Sequence, residues 1–340
     1  MNKIQFVIVG VGRIGTKYSK IIGENPNAEL IAAVDIDFGK RKSISKLVPF
    51  FTDISDFLAA NIKADIICVC TPNGLHARHT IMFLHAGFHV ICEKPIALHV
   101  ADGYKMLAAE KASGKKVFAV MQNRYSPVSI WLKKLIDDKK LGKILFIQIN
   151  CFWNRSQQYY TEAPWRATLE LGGGPLFTQF SHFIDLMIWL TGQPEHIVAQ
   201  SFNLNHQIKT EFNDSGTLTF NLENGGTGTF NYTNATFDRN LESSLTIIAT
   251  KGNIKVGGQY MEKLEYVNLE KSTQIPVFDN VTTANDYQFY QGSLDKHDEF
   301  LANVIHCLQH NLAPEVGLKD GIKIVHFIEE ALAAAEYKNY

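Results

Sequence analysis

The first 120 residues alternate between two hydrophobic periods, and few folds accommodate that rhythm. The short apolar runs IQFVIVG (4–10), AELIAAVD (28–35), ADIICVC (64–70), FHVICE (88–93) and KKVFAVM (115–121) read as strands buried on both faces. Between them RIGTKYSKII, DISDFLAAN, LHARHTIMFLHAG and VADGYKMLAAEKASG repeat apolar residues at helical spacing, and several are closed by a glycine. Strand alternating with helix predicts a doubly wound parallel sheet with right-handed crossovers. After Gln122 the rhythm changes. SPVSIWLKKLIDDKKLG reads as a helix and KILFIQINCFWN as a long strand, followed by a polar, aromatic loop from Arg155 to Glu170. Gly172-Gly173-Gly174-Pro175 then opens a helix predicted to run to Leu190. Alternating Thr, Phe, Val and Ile over 196–270, broken by glycine-rich turns, predict antiparallel strands, and helices are expected at about 293–310 and 318–336. The fold class is therefore α/β: a parallel sheet first, then a second α/β domain with an open mixed, largely antiparallel sheet.

At 340 residues the chain exceeds what one core usually serves, which agrees with two domains. Lys plus Arg (33) nearly balances Asp plus Glu (34), so the basic footprint of a nucleic-acid binder or a membrane anchor is missing. The best apolar run, FIDLMIWL at 183–190, is short and interrupted by Asp185, well below the roughly 18 residues of a membrane span. The N-terminus enters a strand directly, without a secretory signal, and a cytoplasmic protein acting on a small molecule is expected. Five cysteines, at 68, 70, 92, 151 and 307, form no C-x-x-C pair and lie mostly in apolar runs, which predicts buried free thiols.

Gly10-Val11-Gly12-Arg13-Ile14-Gly15 fits G-x-G-x-x-G between a strand and a helix, and Asp35 ends the next strand 20 residues beyond Gly15. Such glycines let the backbone approach a pyrophosphate at a helix N-terminus, while the carboxylate accepts ribose hydroxyls and would repel a 2'-phosphate. The expected cofactor is NAD. Asp37 reads equally as an assistant to Asp35 or an ordinary helix cap. Thr71-Pro72-Asn73 follows a strand at its carboxyl end, where ligands of open α/β sheets bind. His76 and His79 share a helical face with no acidic or cysteine companion at metal spacing, so no metal is expected, and His85, His89 and His99 read as surface or satisfied core residues. Lys94, between Glu93 and Pro95, also sits at a strand's carboxyl end. Desolvation and the charge of an oxidised nicotinamide would lower its pKa and suit it to take a hydroxyl proton. On the glycine-opened helix Thr178, His182 and Asp185 fall on one face, with His182 a candidate acid or base oriented by Asp185 or another acceptor.

Together with T-P-N-G-L-H at 71–76, E-K-P at 93–95, Q-N-R at 122–124 and the G-G…S-H-x-x-D pattern from 173, these motifs resemble the glucose-fructose oxidoreductase and inositol dehydrogenase family over essentially the whole chain. The resemblance implies an NAD-binding Rossmann domain over 1–122 and a substrate-binding, oligomerising α/β domain over 123–340. It places Gly10, Gly12, Arg13, Ile14, Gly15, Asp35, Thr71, Pro72, Asn73, His76, Glu93, Lys94, Gln122 and Trp165 at the cofactor. Lys94 and His182 take the catalytic roles beside the sugar or polyol carbon. The N-x-R, Q-x-Y-Y, W-R-x-T and S-H cluster at 154–182 resembles, more narrowly, the branch that oxidises the 3-hydroxyl of UDP-N-acetylglucosaminuronic acid in surface-polysaccharide biosynthesis. That implies a nucleotide-sugar substrate met by Lys94, Asn123, Arg124, Arg155, Arg166, Thr178, Ser181, His182 and Arg239, and a homo-oligomer, tetramer or dimer. Thr178 stands where many members of the family carry Asp, so His182 loses a carboxylate neighbour and more of the proton transfer falls to Lys94. Other readings are a dehydrogenase of inositol, a free sugar or UDP-N-acetylglucosamine, or a non-catalytic NAD-dependent sensor.

Overall fold

The computed structural model describes residues 3–205, 209–270, 274–278, 284–287 and 290–337. Two compact units emerge from the contacts of the chain, one formed by Met1–Met121 with His297–Val325, the other by Gln122–Lys296 with His326–Tyr340.

In the first unit β1 (Ile4–Val9), α1 (Arg13–Glu24), β2 (Ala28–Val34), β3 (Phe50–Phe51), α2 (Ile54–Ala59), β4 (Ile66–Val69), α3 (His76–His85), β5 (His89–Cys92), α4 (Val100–Ser113) and β6 (Val117–Ala119) alternate as their periods predict. All pairings are parallel, in the order β3-β2-β1-β4-β5-β6. The order reverses between β1 and β4, the switch point beside which ligands bind in such sheets. Phe6, Val7, Ile8, Ile66, Ile67, Val90 and Ile91 are fully buried, as a sheet covered on both faces requires. The edge strand β3 is only two residues long and carries no readable period, so it has no counterpart among the expected strands.

In the second unit the chain runs through α5 (Pro127–Asp137), β7 (Ile144–Phe152), α6 (Gln157–Thr161), α7 (Pro175–Thr178), α8 (Ser181–Thr191), β8 (Glu195–Phe202), β9 (Ser215–Asn221), β10 (Thr227–Thr233), β11 (Glu242–Ala249), β12 (Gly252–Gly257) and β13 (Lys263–Leu269). A small β14 (Ala284–Asp286) and β15 (Gln291–Leu294) ribbon follows. The main sheet has the order β13-β12-β11-β7-β10-β9-β8-β16, where β16 is Ala335–Tyr337. It is mixed: β10 pairs with β7, and β16 with β8, in parallel, while the remaining pairs are antiparallel. Alternating burial along β9 and β10 gives the sheet one packed face, against which Phe220 meets Phe327.

Two expectations are corrected here. The division at 122/123 assigns the whole remainder of the chain to the second domain, but α9 (His297–Gln309) returns to the first unit, where it packs on α1 and β1 and buries Phe300, Leu301 and Val304. The boundary between the units also falls within α10 (Leu318–Ala334), after Val325. Secondly, the polar loop 155–170 contains α6 and a 3-10 turn over Pro164–Ala167.

Candidate active site

In the first unit the candidate cofactor cradle is built by backbone. Gly10 adopts φ +93°, and a Cβ on it would lie 2.6 Å from the Cys70 carbonyl oxygen. A Cβ on Gly15 would come within 2.0 Å of the Gly10 carbonyl oxygen, so no larger residue lets α1 start this close to β1. At Gly12, by contrast, a Cβ would meet nothing within 4 Å, so the outer face of the loop is open. No side chain caps α1 and no acidic residue stands in its first turn, which leaves its N–H dipoles directed at whatever anion approaches. Asp35 holds the loop from the end of β2: one carboxylate oxygen accepts the Val11 N–H at 2.7 Å and the other the Asp37 N–H at 2.9 Å. Each oxygen keeps a lone pair for a ribose hydroxyl. Asp37 itself caps a 3-10 turn by accepting from Gly39 N–H, the cap reading of that residue. Arg13 and Ile14 are half-buried at the start of α1.

The loops after β4 and β5 face the same sheet end. Thr71 and Pro72 are half-buried and Asn73 is buried, in a 3-10 turn that leads into α3. His79 Nδ1 lies 3.1 Å from Thr71 Oγ1, and burial pushes its pKa down to about 4. His76 is 1% exposed, with one ring nitrogen 2.7 Å from the Thr71 carbonyl oxygen and the other 2.7 Å from that of Pro95. Lys94 is half-buried at the carboxyl end of β5, and its backbone N–H donates to a carboxylate oxygen of Glu93 at 3.3 Å. Glu93 is buried and faces His297 of α9, whose Nε2 is 3.9 Å from Glu93 Oε1 and whose ring meets the edge of Tyr18. Burial, with the Glu93 charge second, holds the Tyr18 hydroxyl well above its ordinary pKa. His297 carries no local sequence signal for this position, being some 200 residues from Glu93 in the chain. The neighbouring thiols of Cys68, Cys70 and Cys92 are unoxidised and shifted upward by burial, Cys92 to about 12, as inert core thiols are.

In the second unit the candidate polar group gathers around α8. Gln122 Nε2 lies 3.4 Å from His182 Nε2, both side chains being buried. Asn123 Oδ1 accepts from Ser293 Oγ at 2.7 Å. Among the described residues Gln122 Oε1 and Asn123 Nδ2 find no hydrogen-bond partner, although buried amides normally do. A polar ligand would satisfy them. Asp185 takes the guanidinium of Arg124, with Oδ1 2.6 Å from one terminal nitrogen and Oδ2 2.9 Å from Nε, and Trp189 stacks on the same guanidinium. Arg124 is thereby held in a buried ion pair.

Three further expectations change. Thr178 ends α7 while His182 lies in α8, the helices being separated by Gln179 and Phe180, so the continuous helical face drawn through both does not form. Thr178 Oγ1 donates to the Gly172 carbonyl instead. Ser181 is fully buried and its hydroxyl donates to the Phe177 carbonyl. Arg155 is 2% exposed, donates to the Asn154 and Gln291 carbonyls and to Asn240, and is enclosed by Trp153, Tyr159 and Tyr290. It anchors β15 and the start of the loop after β7. Arg166 differs: half-buried, it donates to the Tyr159 carbonyl and stacks on Tyr159 and Trp165. Trp165 is half-buried beside it, and Arg239 is exposed in the loop between β10 and β11. Tyr159 belongs to the Q-x-Y-Y motif, whereas Tyr290 has no signal in the sequence, because its place over Arg155 joins segments far apart in the chain. Among the described residues no group of three or more His, Cys, Asp or Glu could hold a metal, and no helix is long and apolar enough to cross a membrane.

Comparison with known proteins identifies the family. The family model for the oxidoreductase family with an NAD-binding Rossmann fold matches residues 4–121, and that for the GFO/IDH/MocA C-terminal domain matches 130–255. The chain belongs to the GFO/IDH/MocA oxidoreductase family. Among solved structures of family members, the WlbA dehydrogenase from Bordetella pertussis in complex with NADH and UDP-GlcNAcA is 31% identical, with a TM-score of 0.87 over 98% of this chain and 96% of that one. The WlbA enzyme from Chromobacterium violaceum, with the same two ligands, is also 31% identical, at a TM-score of 0.88 over 98% and 94%. Inositol 2-dehydrogenase of Rhizobium meliloti is 22% identical over 87% of this chain and 90% of its own length. The 2,7-anhydro-N-acetylneuraminate hydratase of Mediterraneibacter gnavus is 27% identical over 65% of this chain, a match spanning 58% of that relative. As a GFO/IDH/MocA oxidoreductase the protein uses NAD, and the residues fit it: the glycine cradle, the uncapped helix N-terminus and Asp35 supply the pyrophosphate and ribose contacts, and Asp35 disfavours a 2'-phosphate.

Proposed function

We propose that this oxidoreductase oxidises the 3-hydroxyl of a UDP-N-acetyl-hexosaminuronate, namely UDP-N-acetylglucosaminuronic acid, to the 3-keto sugar. The observation that carries the reading is the whole-length likeness to two dehydrogenases solved with NADH and UDP-GlcNAcA. A role in surface-polysaccharide sugar biosynthesis goes with that substrate.

Bound NAD supplies the hydride acceptor; the protein must position the sugar and take the hydroxyl proton. Lys94 takes that proton. His182, beside Gln122, hydrogen-bonds the sugar. A neutral imidazole nitrogen accepting the Gln122 amide N–H places the ring proton on Nδ1, a donor for a substrate oxygen. Arg166 and Arg239 remain for the carboxylate and diphosphate, since Arg124 and Arg155 have buried partners. Gln122, Asn123, Thr178 and Trp165 complete the polar and aromatic lining. The working protein is a homo-oligomer, an expectation supported by exposed Leu145, Val198, Ile248 and Tyr266 on strands of the second-unit sheet. Light scattering returning a monomer at working concentration would remove it.

The decisive experiment mixes purified protein and NAD with UDP-N-acetylglucosaminuronic acid, UDP-N-acetylglucosamine, inositol and free sugars, and follows NADH absorbance. A keto acid in parallel reactions reoxidises any NADH that stays bound. Turnover of the uronate is the expected result. Oxidation of inositol alone would favour the inositol 2-dehydrogenase activity of the Rhizobium relative, and NAD binding without turnover of any candidate would favour a sensor.

A further inference from the structure

His76 stands with the cofactor contacts in the sequence reading, yet its surroundings point elsewhere. The ring is 1% exposed. Each ring nitrogen lies 2.7 Å from a main-chain carbonyl oxygen, Thr71 on one side and Pro95 on the other, and burial favours the neutral ring, which donates its one N–H to one of them. Those carbonyls belong to two different loops, one after β4 and one after β5, whose strands are adjacent in the sheet. The Thr71 loop is in turn the surface against which Gly10 packs.

We propose that His76 is a positioning residue that latches the two strand-end loops together and so fixes where Lys94 projects; the proposal rests on the assignment of Lys94 above. Pro95 follows Lys94 directly, and a proline has no N–H with which to tie down its own loop. The backbone N–H of Lys94 donates to the adjacent Glu93 carboxylate at 3.3 Å, a long and local bond. The bond from Pro95 to His76 is short and spans 19 residues, so it ties the lysine's loop to the neighbouring strand end. On the other side Ile96 is pinned by α10, where a Cβ on Gly321 would lie 2.8 Å from the Ile96 side chain. Lys94 therefore stands between an anchored 93–92 strand end and an anchored 95–96 turn. Carbonyls flank both edges of the imidazole, of which a neutral ring can donate to only one, and with the ring 1% exposed neither nitrogen is open to a nucleotide.

The test separates latch from cofactor contact. Histidine C2–H exchange in the unmodified protein is measured first, with His85, which is exposed, as the internal standard. A latched His76 exchanges far more slowly than His85 and equally slowly with and without NAD. Rapid exchange that NAD suppresses overturns the latch without recourse to any variant. His76→Ala, His76→Gln and Lys94→Ala are then compared, alone and combined. Because small misplacements at a reacting centre cost up to about 10²-fold, His76→Ala should lower kcat by about tenfold or more, shift its pH profile and leave the NAD dissociation constant within about twofold. His76→Gln, whose amide still carries two N–H donors, should restore part of that loss, and His76→Ala should cost nothing further in the Lys94→Ala background. A weakened NAD affinity with unchanged kcat, or losses that multiply in the double variant, refutes the latch. Near-normal turnover of Lys94→Ala alone refutes the Lys94 assignment instead, a result distinct from any His76 outcome.

Discussion

At the scale of single residues, chemistry is decided by who a side chain's partner is. Lys94 carries the proposed proton transfer, so Lys94→Ala should cost about 10²- to 10⁴-fold in kcat, the usual worth of general-base catalysis. NAD titration of the same variant should give an unchanged dissociation constant, and a tenfold weakening there would move Lys94 from chemistry to binding. Asp185 shows the opposite case. Its carboxylate is 0% exposed and bound to the 8% exposed Arg124. Removing one member of such a pair strands a buried charge, and Asp185→Asn should destabilise the fold by about 3–5 kcal/mol. Thermal or denaturant unfolding measures this directly; a loss below about 1 kcal/mol, the worth of an exposed pair, would show that the site is solvated.

At the scale of elements, two glycines decide how close β1, α1 and the loop after β4 can come. Gly15→Ala drives a Cβ to 2.0 Å from the Gly10 carbonyl oxygen, and that backbone has no flexible end to yield. Gly10→Ala meets the backbone of Cys70 and Thr71 and must hold φ +93° as well. Both variants should lose NAD affinity, with Gly15→Ala also lowering the melting temperature because α1 must lift from β1. Gly12→Ala, where the added carbon meets no protein atom, should leave the melting temperature unchanged while weakening NAD through the loop's outer face. Equal NAD affinity of Gly12→Ala and the wild type would mean that this face does not approach the pyrophosphate.

For the whole molecule, two half-buried histidines predict how stability depends on pH. Burial depresses His79 and His89 to about 4, from an ordinary 6.5; Arg78 and His76 add to the effect at His79, and Lys115 and Lys116 at His89. His89 Nδ1 also accepts the Lys116 N–H, which requires the neutral ring. In the unfolded chain both histidines take up protons near 6.5, whereas the folded protein resists until about 4. The stabilisation is thus complete above about 6.5 and is lost as pH falls from there to about 4. The melting temperature should drop across that window, and His89→Gln should flatten part of the slope. An identical pH profile for that variant would mean that His89 does not contribute.

Much of the first unit was legible in the chain itself. Its apolar runs, helical periods and closing glycines are local properties, each set within about ten residues, and β3, too short to have a period, is the element that escaped. In the second unit the alternating pattern gave strands but not their partners: the parallel pairings of β10 with β7 and of β16 with β8 join segments far apart in sequence. The site shows the same limit. Gly10, Gly15 and Asp35 could be placed because turn geometry and strand ends fix them. Asp185 could not be given its partner, because Arg124 lies 61 residues away and helical spacing pointed to His182. Ser181 by resemblance and Arg155 by type read as ligand contacts, and only packing showed Ser181 donating to the Phe177 carbonyl and Arg155 to two carbonyls and Asn240.

By itself, then, the sequence determined the parallel sheet, the NAD cradle and the places of Lys94 and His182 in their motifs, since periodicity and turn chemistry act between near neighbours. Only the tertiary structure decided that α9 rejoins the first unit, that His76 bridges two loops and that Arg124 takes Asp185. Burying a charge or a carbonyl forces it to find a partner wherever the folded chain supplies one, and that partner is chosen by proximity in space, which spacing along the chain does not reveal.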